Sequence, residues 1–335
     1  MTNTNGNFKK VTFVGTGAFG TAIAQSIINN CEQIILYGID QGEIEDINSN
    51  HQNSKYYDNK LSKKIIATSD SHYAFIDADV IFFALPSPLI EKTLKDIIIP
   101  NMNQPAYFIN LSKGFDYYNK KLLNHLIELV VPNELNLGVL KLSGPSFAVE
   151  VINQEFTSFC LACKDIEIAK KMSKLFISDN FKIMIDDDIK GIEIVSILKN
   201  SYALILGIAS GLGYKSNTIS YLFTQVYEEM TILLKLLNNN NDGAMHSVAG
   251  LGDLYLTGSS PKSRNFATGQ NIGINDKIND KIISKYATVE GIKSIEIINN
   301  LKNKHNLKLE LFDVLNNIIS LKQKPSATVK KYLMI

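Results

Sequence analysis

Residues 11–25 read VTFVGTGAFGTAIAQ, and the fold follows from how this stretch divides. Val11, Thr12, Phe13 and Val14 are β-branched or aromatic, the composition of a buried strand. The run breaks at Gly15, and Gly15-Thr16-Gly17-Ala18-Phe19-Gly20 opens a helix whose apolar positions continue through Ala22, Ile23 and Ile27. In a strand–turn–helix of this kind the first glycine permits the tight turn. The second lets the backbone approach a pyrophosphate, and the third lets helix and strand pack closely. The helix N-terminus adds unpaired N–H groups and the positive end of its dipole. Gly15, Thr16, Gly17, Ala18, Phe19 and Gly20 are therefore candidate dinucleotide-binding residues. The plainer reading is a turn that only joins two elements.

Apolar runs recur beyond this unit: QIILY (33–37), KIIAT (64–68), VIFFALP (80–86), AYFINLS (106–112) and LGVLKLS (137–143). Helical segments separate most of them. Strands apolar throughout and alternating with helices predict a mostly parallel sheet covered on both faces, an α/β Rossmann-like domain. Ligands of such sheets sit just past the C-terminal ends of the strands. Pro86, Lys113, Gly144 and Ser146 occupy those positions, and Asp40 lies just past the second run. Near Asp186-Asp187-Asp188 the pattern turns helical, which predicts a Rossmann-like domain over 8–188 and an all-helical domain over 189–335.

Composition excludes several function classes. With 34 basic and 33 acidic residues the net charge is +1, so no nucleic-acid partner is indicated. The start, MTNTNGNFKK, lacks the apolar core of a secretory signal. The most apolar stretch carries Glu193, Lys199 and Asn200, against a membrane span. Three cysteines fit a reducing, cytoplasmic setting. Cys160 and Cys163 sit in a strand-like run with no second pair or nearby histidine, so they read as core and no metal site is expected.

The run GIEIVSILKNSYALILGIASGLG (191–213) has helical spacing, with Val195, Leu198, Tyr202, Leu206 and Ala209 near one face and Lys199 in its middle. Such a lysine either snorkels or pairs with an acid, or is desolvated enough to serve in proton transfer. Farther on, VAGLGDLYLT (248–257) leads to Ser263-Arg264-Asn265, and Arg264 is the sole arginine in the chain. A planar fork with five donors grips phosphate or carboxylate bidentately. Arg264 is an anion clamp on that reading, or one half of a structural ion pair.

Taken together, these segments resemble the bacterial NAD(P)-dependent glycerol-3-phosphate dehydrogenases. The likeness rests on the glycine turn, Leu111-Ser112-Lys113-Gly114, Ser143-Gly144-Pro145-Ser146-Phe147-Ala148, and Leu198-Lys199-Asn200. It continues through Ala249-Gly250-Leu251-Gly252-Asp253-Leu254, Leu256-Thr257, Ser263-Arg264-Asn265 and Val289-Glu290-Gly291. The resemblance implies reversible reduction of dihydroxyacetone phosphate to sn-glycerol 3-phosphate, feeding glycerophospholipid synthesis, by a cytoplasmic homodimer using NAD or NADP. It makes Lys199 the proton donor and acceptor, with Asp253, Thr257 and Lys113 beside the chemistry. It gives Lys113, Gly144, Ser146, Asn200, Asp253, Ser263, Arg264 and Asn265 to the substrate. Pro86, Lys113, Ala148, Arg264 and Glu290 join the glycine turn and Asp40 at the cofactor.

The chain departs from the family pattern at Ile39, Val149, Gln225 and Glu310. The last two bear on helix packing. Ile39 bears on cofactor choice, because it stands where the family tends to place a cation. No lysine or arginine occurs from Cys31 through Asn53, while Asp40, Glu43, Glu45 and Asp46 do. That balance predicts a preference for NADH, which only a lysine of the following loop, Lys55 or Lys60, would alter.

Overall fold

Strand β1 (Phe8–Val14) forms from the apolar run that precedes the glycine turn, and it lies inside the sheet, third from one edge. The computed structural model describes residues 8–116, 121–279 and 289–334. The other sheet strands are β2 (Cys31–Tyr37), β3 (Ile65–Thr68), β4 (Val80–Phe83) and β5 (Ala106–Asn110). A short ribbon of β6 (Phe115–Asp116) and β7 (Lys121–Leu122) precedes β8 (Asn136–Ser143), β9 (Thr157–Ala162) and β10 (Phe181–Asp186).

The eight-stranded sheet has the order β10-β9-β8-β5-β4-β1-β2-β3. Every pairing is parallel except β8 with β9. Its β3-β2-β1-β4-β5-β8 portion is the doubly wound order of a Rossmann fold, with the reversal of direction between β1 and β4. Successive residues feed opposite cores. Phe13 and Phe82 stack at 4.3 Å in one cluster. Their neighbours Val14 and Phe83 belong to the other. Both faces are thus covered, and strands apolar throughout are the result. Cys160 and Cys163 are buried in this packing, and burial pushes the Cys160 thiol up to about 12. Past Asp40 the acidic segment forms helical turns over Gln41–Glu45 and Asp46–Asn50.

The chain divides into two compact units, one ending at Glu193 and the other beginning at Ile194. Helix Ile189–Gly211 runs across that boundary. Residues 191–209 are buried all round the helix, so the single apolar face expected from the spacing is too narrow a description. The helix is long and apolar enough to cross a membrane by length and composition, but its most apolar window is fully buried in protein.

The second unit continues with helices Ser216–Leu237, Asp253–Ser259, Arg264–Asn275, Glu290–His305, Glu310–Ile319 and Pro325–Leu333. The departures at Gln225 and Glu310 leave both of their helices intact, with Gln225 accepting from the Tyr332 hydroxyl and Glu310 pairing with Lys308. Glycines let helices Ile189–Gly211 and Arg264–Asn275 cross closely. A Cβ on Gly207 would lie 2.2 Å from the carbonyl oxygen of Phe266, and one on Gly269 2.1 Å from that of Leu204. Backbones this close admit no side chain. Gly207→Val should cost about 2 kcal/mol or more through overpacking, read as a lowered chemical-denaturation midpoint. An unchanged midpoint would mean the helices cross farther apart.

Glu229, buried in helix Ser216–Leu237, accepts from the N–H groups of Leu311 (2.7 Å) and Phe312 (2.9 Å) and from the Tyr202 hydroxyl (2.9 Å). It caps helix Glu310–Ile319 from outside that helix. Burial pushes its carboxyl up to about 7 against the pull of those hydrogen bonds. The folded state then holds this proton more tightly than the unfolded one, so the contribution is full below about pH 4.5 and fades as pH rises through 7. The stability margin of the wild type over Glu229→Gln should therefore shrink by roughly 2 kcal/mol between pH 5 and 8. A margin independent of pH in urea titrations would contradict this.

Candidate active site

In the first unit the glycine turn lies where the strand order reverses. Gly15 has φ +119°, and its N–H donates to the Tyr37 carbonyl at 2.7 Å. A Cβ there would lie 2.6 Å from the Ala84 carbonyl oxygen, so only glycine lets β1 turn beside β4. A Cβ on Gly20 would likewise lie 2.8 Å from the Ala84 Cβ. Gly17 differs. A Cβ on it would meet nothing within 4 Å, so the protein's own packing does not require a glycine there. Gly17 precedes helix Ala18–Ile27 with no side chain capping the first turn. Open space in front of uncapped N–H groups fits a pyrophosphate, which is the test of the cofactor that the residues can meet.

The turn is braced from behind. Thr16 is buried, its hydroxyl donates to the Glu43 carboxylate, and its carbonyl accepts from Asn53 at 2.8 Å. Glu43 is itself buried and pairs with Lys55 at 2.6 Å, and it accepts from the Tyr56 hydroxyl at 3.1 Å. Asp40 caps the helical turn after it, with Oδ1 accepting from the N–H groups of Gly42 and Glu43, and its Oδ2 lies 3.1 Å from Lys55. Hydrogen bonding to Lys55 and to the Glu43 N–H holds its carboxyl below the usual range. The end of β2 thus has a cation after all. Lys55 reaches it from the loop, whereas Lys60 bonds the Asn50 carbonyl and the Gln52 side chain. Ile39 is 85% exposed and takes no part.

Pro86 opens the short helical turn Ser87–Leu89 just past β4. Past β5, Lys113 precedes Gly114, which has φ +118°. Behind that turn stands a lysine that the sequence reading missed. Lys141 of β8 is 1% exposed and donates to the Ser112 carbonyl at 2.5 Å. Its charge also acts on buried Glu193, which accepts from the N–H groups of Leu123 and Asn124 and which burial pushes up to about 7. Past β8, a Cβ on Gly144 would lie 2.6 Å from the Ser158 carbonyl oxygen. Ser146 donates to the Gly144 carbonyl at 3.1 Å, and Ala148 begins helix Ala148–Ile152.

In the second unit two small clusters form. Lys199 is 1% exposed, forms an ion pair with buried Asp253, and donates to Thr257 Oγ1 at 3.1 Å. The Thr257 hydroxyl in turn donates to Asp253 Oδ1 at 3.2 Å. One turn of helix separates Asp253 from Thr257, so both reach the same ammonium. Next to Lys199, Asn200 donates to Glu290 at 3.2 Å and accepts from Asn265 Nδ2 at 3.1 Å. Asn265 Oδ1 accepts from the Gly291 N–H at 3.1 Å, so this amide ties three helices together.

Ser263 caps helix Arg264–Asn275 through the Phe266 N–H, which commits its hydroxyl oxygen to the backbone. Arg264, at the first position of that helix, is exposed, and no ion pair holds its guanidinium among the described residues. Among those residues no group of histidine, cysteine and acidic side chains is placed to hold a metal ion.

A positively charged, buried lysine aimed by a carboxylate and a hydroxyl can give and take a proton. An exposed guanidinium at a helix N-terminus can receive an anion. Residues 10–169 match the family described as NAD-dependent glycerol-3-phosphate dehydrogenase N-terminus, and residues 188–330 match its C-terminus. Glycerol-3-phosphate dehydrogenase [NAD(P)+] of Bacillus subtilis is 32% identical over 97% of this chain and 94% of its own. The enzyme of that name from Mesoplasma florum is 34% identical over 95% of each. Among solved structures, the fold matches glycerol-3-phosphate dehydrogenase from Coxiella burnetii with a TM-score of 0.86 at 23% identity, covering 98% of this chain and all of that one (100%). The chain belongs to the NAD-dependent glycerol-3-phosphate dehydrogenase family.

Proposed function

We propose that this protein reversibly reduces dihydroxyacetone phosphate to sn-glycerol 3-phosphate, with Lys199 moving the proton. The observation that supports this most directly is the buried Lys199–Asp253 pair with Thr257 bonded to both. When bound, NAD(P)H would supply the hydride. As the substrate carbonyl carbon is reduced, negative charge builds on its oxygen. The Lys199 ammonium stabilises that charge and hands over one proton, and the neutral amine takes a proton back in the reverse direction. Asp253 holds the ammonium in place, and Thr257 limits its rotation by accepting one of its three donors. Asn200, oriented by Glu290 and Asn265, offers a fixed amide for the substrate.

The remaining assignments rest on the family resemblance and on residue chemistry. Arg264 receives the phosphate at the start of its helix, supported by Ser263 and Asn265. Lys113, Gly144 and Ser146 contact substrate, with Lys113 held on a turn that Lys141 braces. Pro86, Ala148 and Glu290 join the glycine turn at the cofactor. The same reading makes the protein a cytoplasmic homodimer that supplies glycerol 3-phosphate to glycerophospholipid synthesis. NADH oxidation followed at 340 nm with and without dihydroxyacetone phosphate tests the reaction. Turnover should require the phosphorylated ketone. No substrate-dependent oxidation with either NADH or NADPH would refute the proposal.

A further inference from the structure

We infer that Lys55 and Asp40 together choose the cofactor, with Asp40 keeping Lys55 away from a 2′-phosphate so that the site favours NADH. This rests on the dinucleotide reading of the glycine turn. A Rossmann site distinguishes the two cofactors at the end of its second strand, where an acid bonds a ribose 2′-hydroxyl and a cation accommodates a 2′-phosphate. Asp40 lies just past β2, and Gly38 beside it packs on Thr16 of the turn. Lys55 is the cation that reaches this point, but two carboxylates hold it. Glu43 binds it at 2.6 Å and is anchored by Thr16 and Tyr56. Asp40 Oδ2 binds it at 3.1 Å from the exposed side.

The two contacts have different consequences. Glu43 is buried and also bonded to Thr16 and Tyr56, so it fixes where the ammonium stands. Asp40 is half exposed and competes directly with any phosphate arriving from solvent. With both acids present the cluster carries one carboxylate in excess. A 2′-phosphate must break the Asp40–Lys55 contact and then face the Asp40 charge. A 2′-hydroxyl meets no such repulsion and can donate to Asp40 Oδ2.

The experiment titrates NADH and NADPH binding by nicotinamide fluorescence, without substrate, so that it reads affinity alone. Asp40→Asn keeps the helix cap, because asparagine caps as well as aspartate, and removes only the charge. It should move the NADPH-to-NADH affinity ratio about tenfold or more towards NADPH, as one freed charge-assisted hydrogen bond provides. The shift should shrink as salt rises, since Lys55 and Asp40 are partly exposed. In Asp40→Asn/Lys55→Met the gain should be much smaller, because the cation that accounts for most of it is gone. Melting curves of the variants check that each is folded.

A ratio within twofold of wild type in Asp40→Asn, or a gain just as large in the double variant, would overturn the inference. Failure of the wild type to bind either nucleotide would instead overturn the dinucleotide reading beneath it.

Discussion

Lys199→Met should lower kcat by roughly 10²- to 10⁴-fold, the usual contribution of a positioned general acid–base group, while NADH still binds. Methionine keeps most of the aliphatic stem that packs in helix Ile189–Gly211, and it loses the proton and the charge. Lys199 is not among the residues assigned to the cofactor, so affinity for NADH should hold. One complication is predictable. Lys199 and Asp253 are 1% and 2% exposed at their side chains, and removing one partner strands the other charge in low dielectric. Breaking such a pair costs about 3–5 kcal/mol, whereas removing both charges costs far less. Lys199→Met/Asp253→Asn should therefore recover stability without recovering rate. If either folded variant keeps kcat within a few-fold of wild type, Lys199 is not the proton carrier.

The parts of this fold that were legible in sequence are those where local pattern and tertiary environment agree. β4 and the C-terminal parts of β1 and β2 (residues 11–14 and 34–37) are buried on both faces, so each reads as a largely apolar run. β10 is an edge strand beside β9 alone, half exposed along FKIMID, and that leaves no such run to find. The antiparallel pairing of β8 with β9 has no local signal at all. The site divides in the same way. The glycine turn is contiguous in sequence, and its reading needed only the elements flanking it. The Asp253 partner of Lys199 lies far along the chain, and only resemblance to a family pointed to it. Lys141 and Glu229 were illegible because their roles come from partners in other elements, and Lys55 stood out only as one of two loop lysines, with Lys60, able to reach the end of β2. Nothing distinguishes Lys55 from Lys60 until the loop folds it onto Asp40 and Glu43.

Arg264→Ala should raise KM for dihydroxyacetone phosphate by about a hundredfold, and Arg264→Lys by about tenfold. The numbers follow from two charge-assisted hydrogen bonds lost in the first case and one in the second. Lysine restores a positive charge but not the planar fork that meets two phosphate oxygens at once. Arg264 begins a helix of 12 residues, so the N-terminal dipole and the guanidinium act on the same anion. The side chain is exposed, and among the described residues no carboxylate pairs with it, which leaves its donors for a ligand. Its removal should therefore cost little stability, unlike the loss of a structural ion pair. Unphosphorylated dihydroxyacetone is the decisive control. Its poor turnover should be nearly the same in wild type and both variants, because it brings no anion to the clamp. Equal losses for the two ketones, or a melting temperature that falls with either substitution, would assign Arg264 to the scaffold rather than to the phosphate.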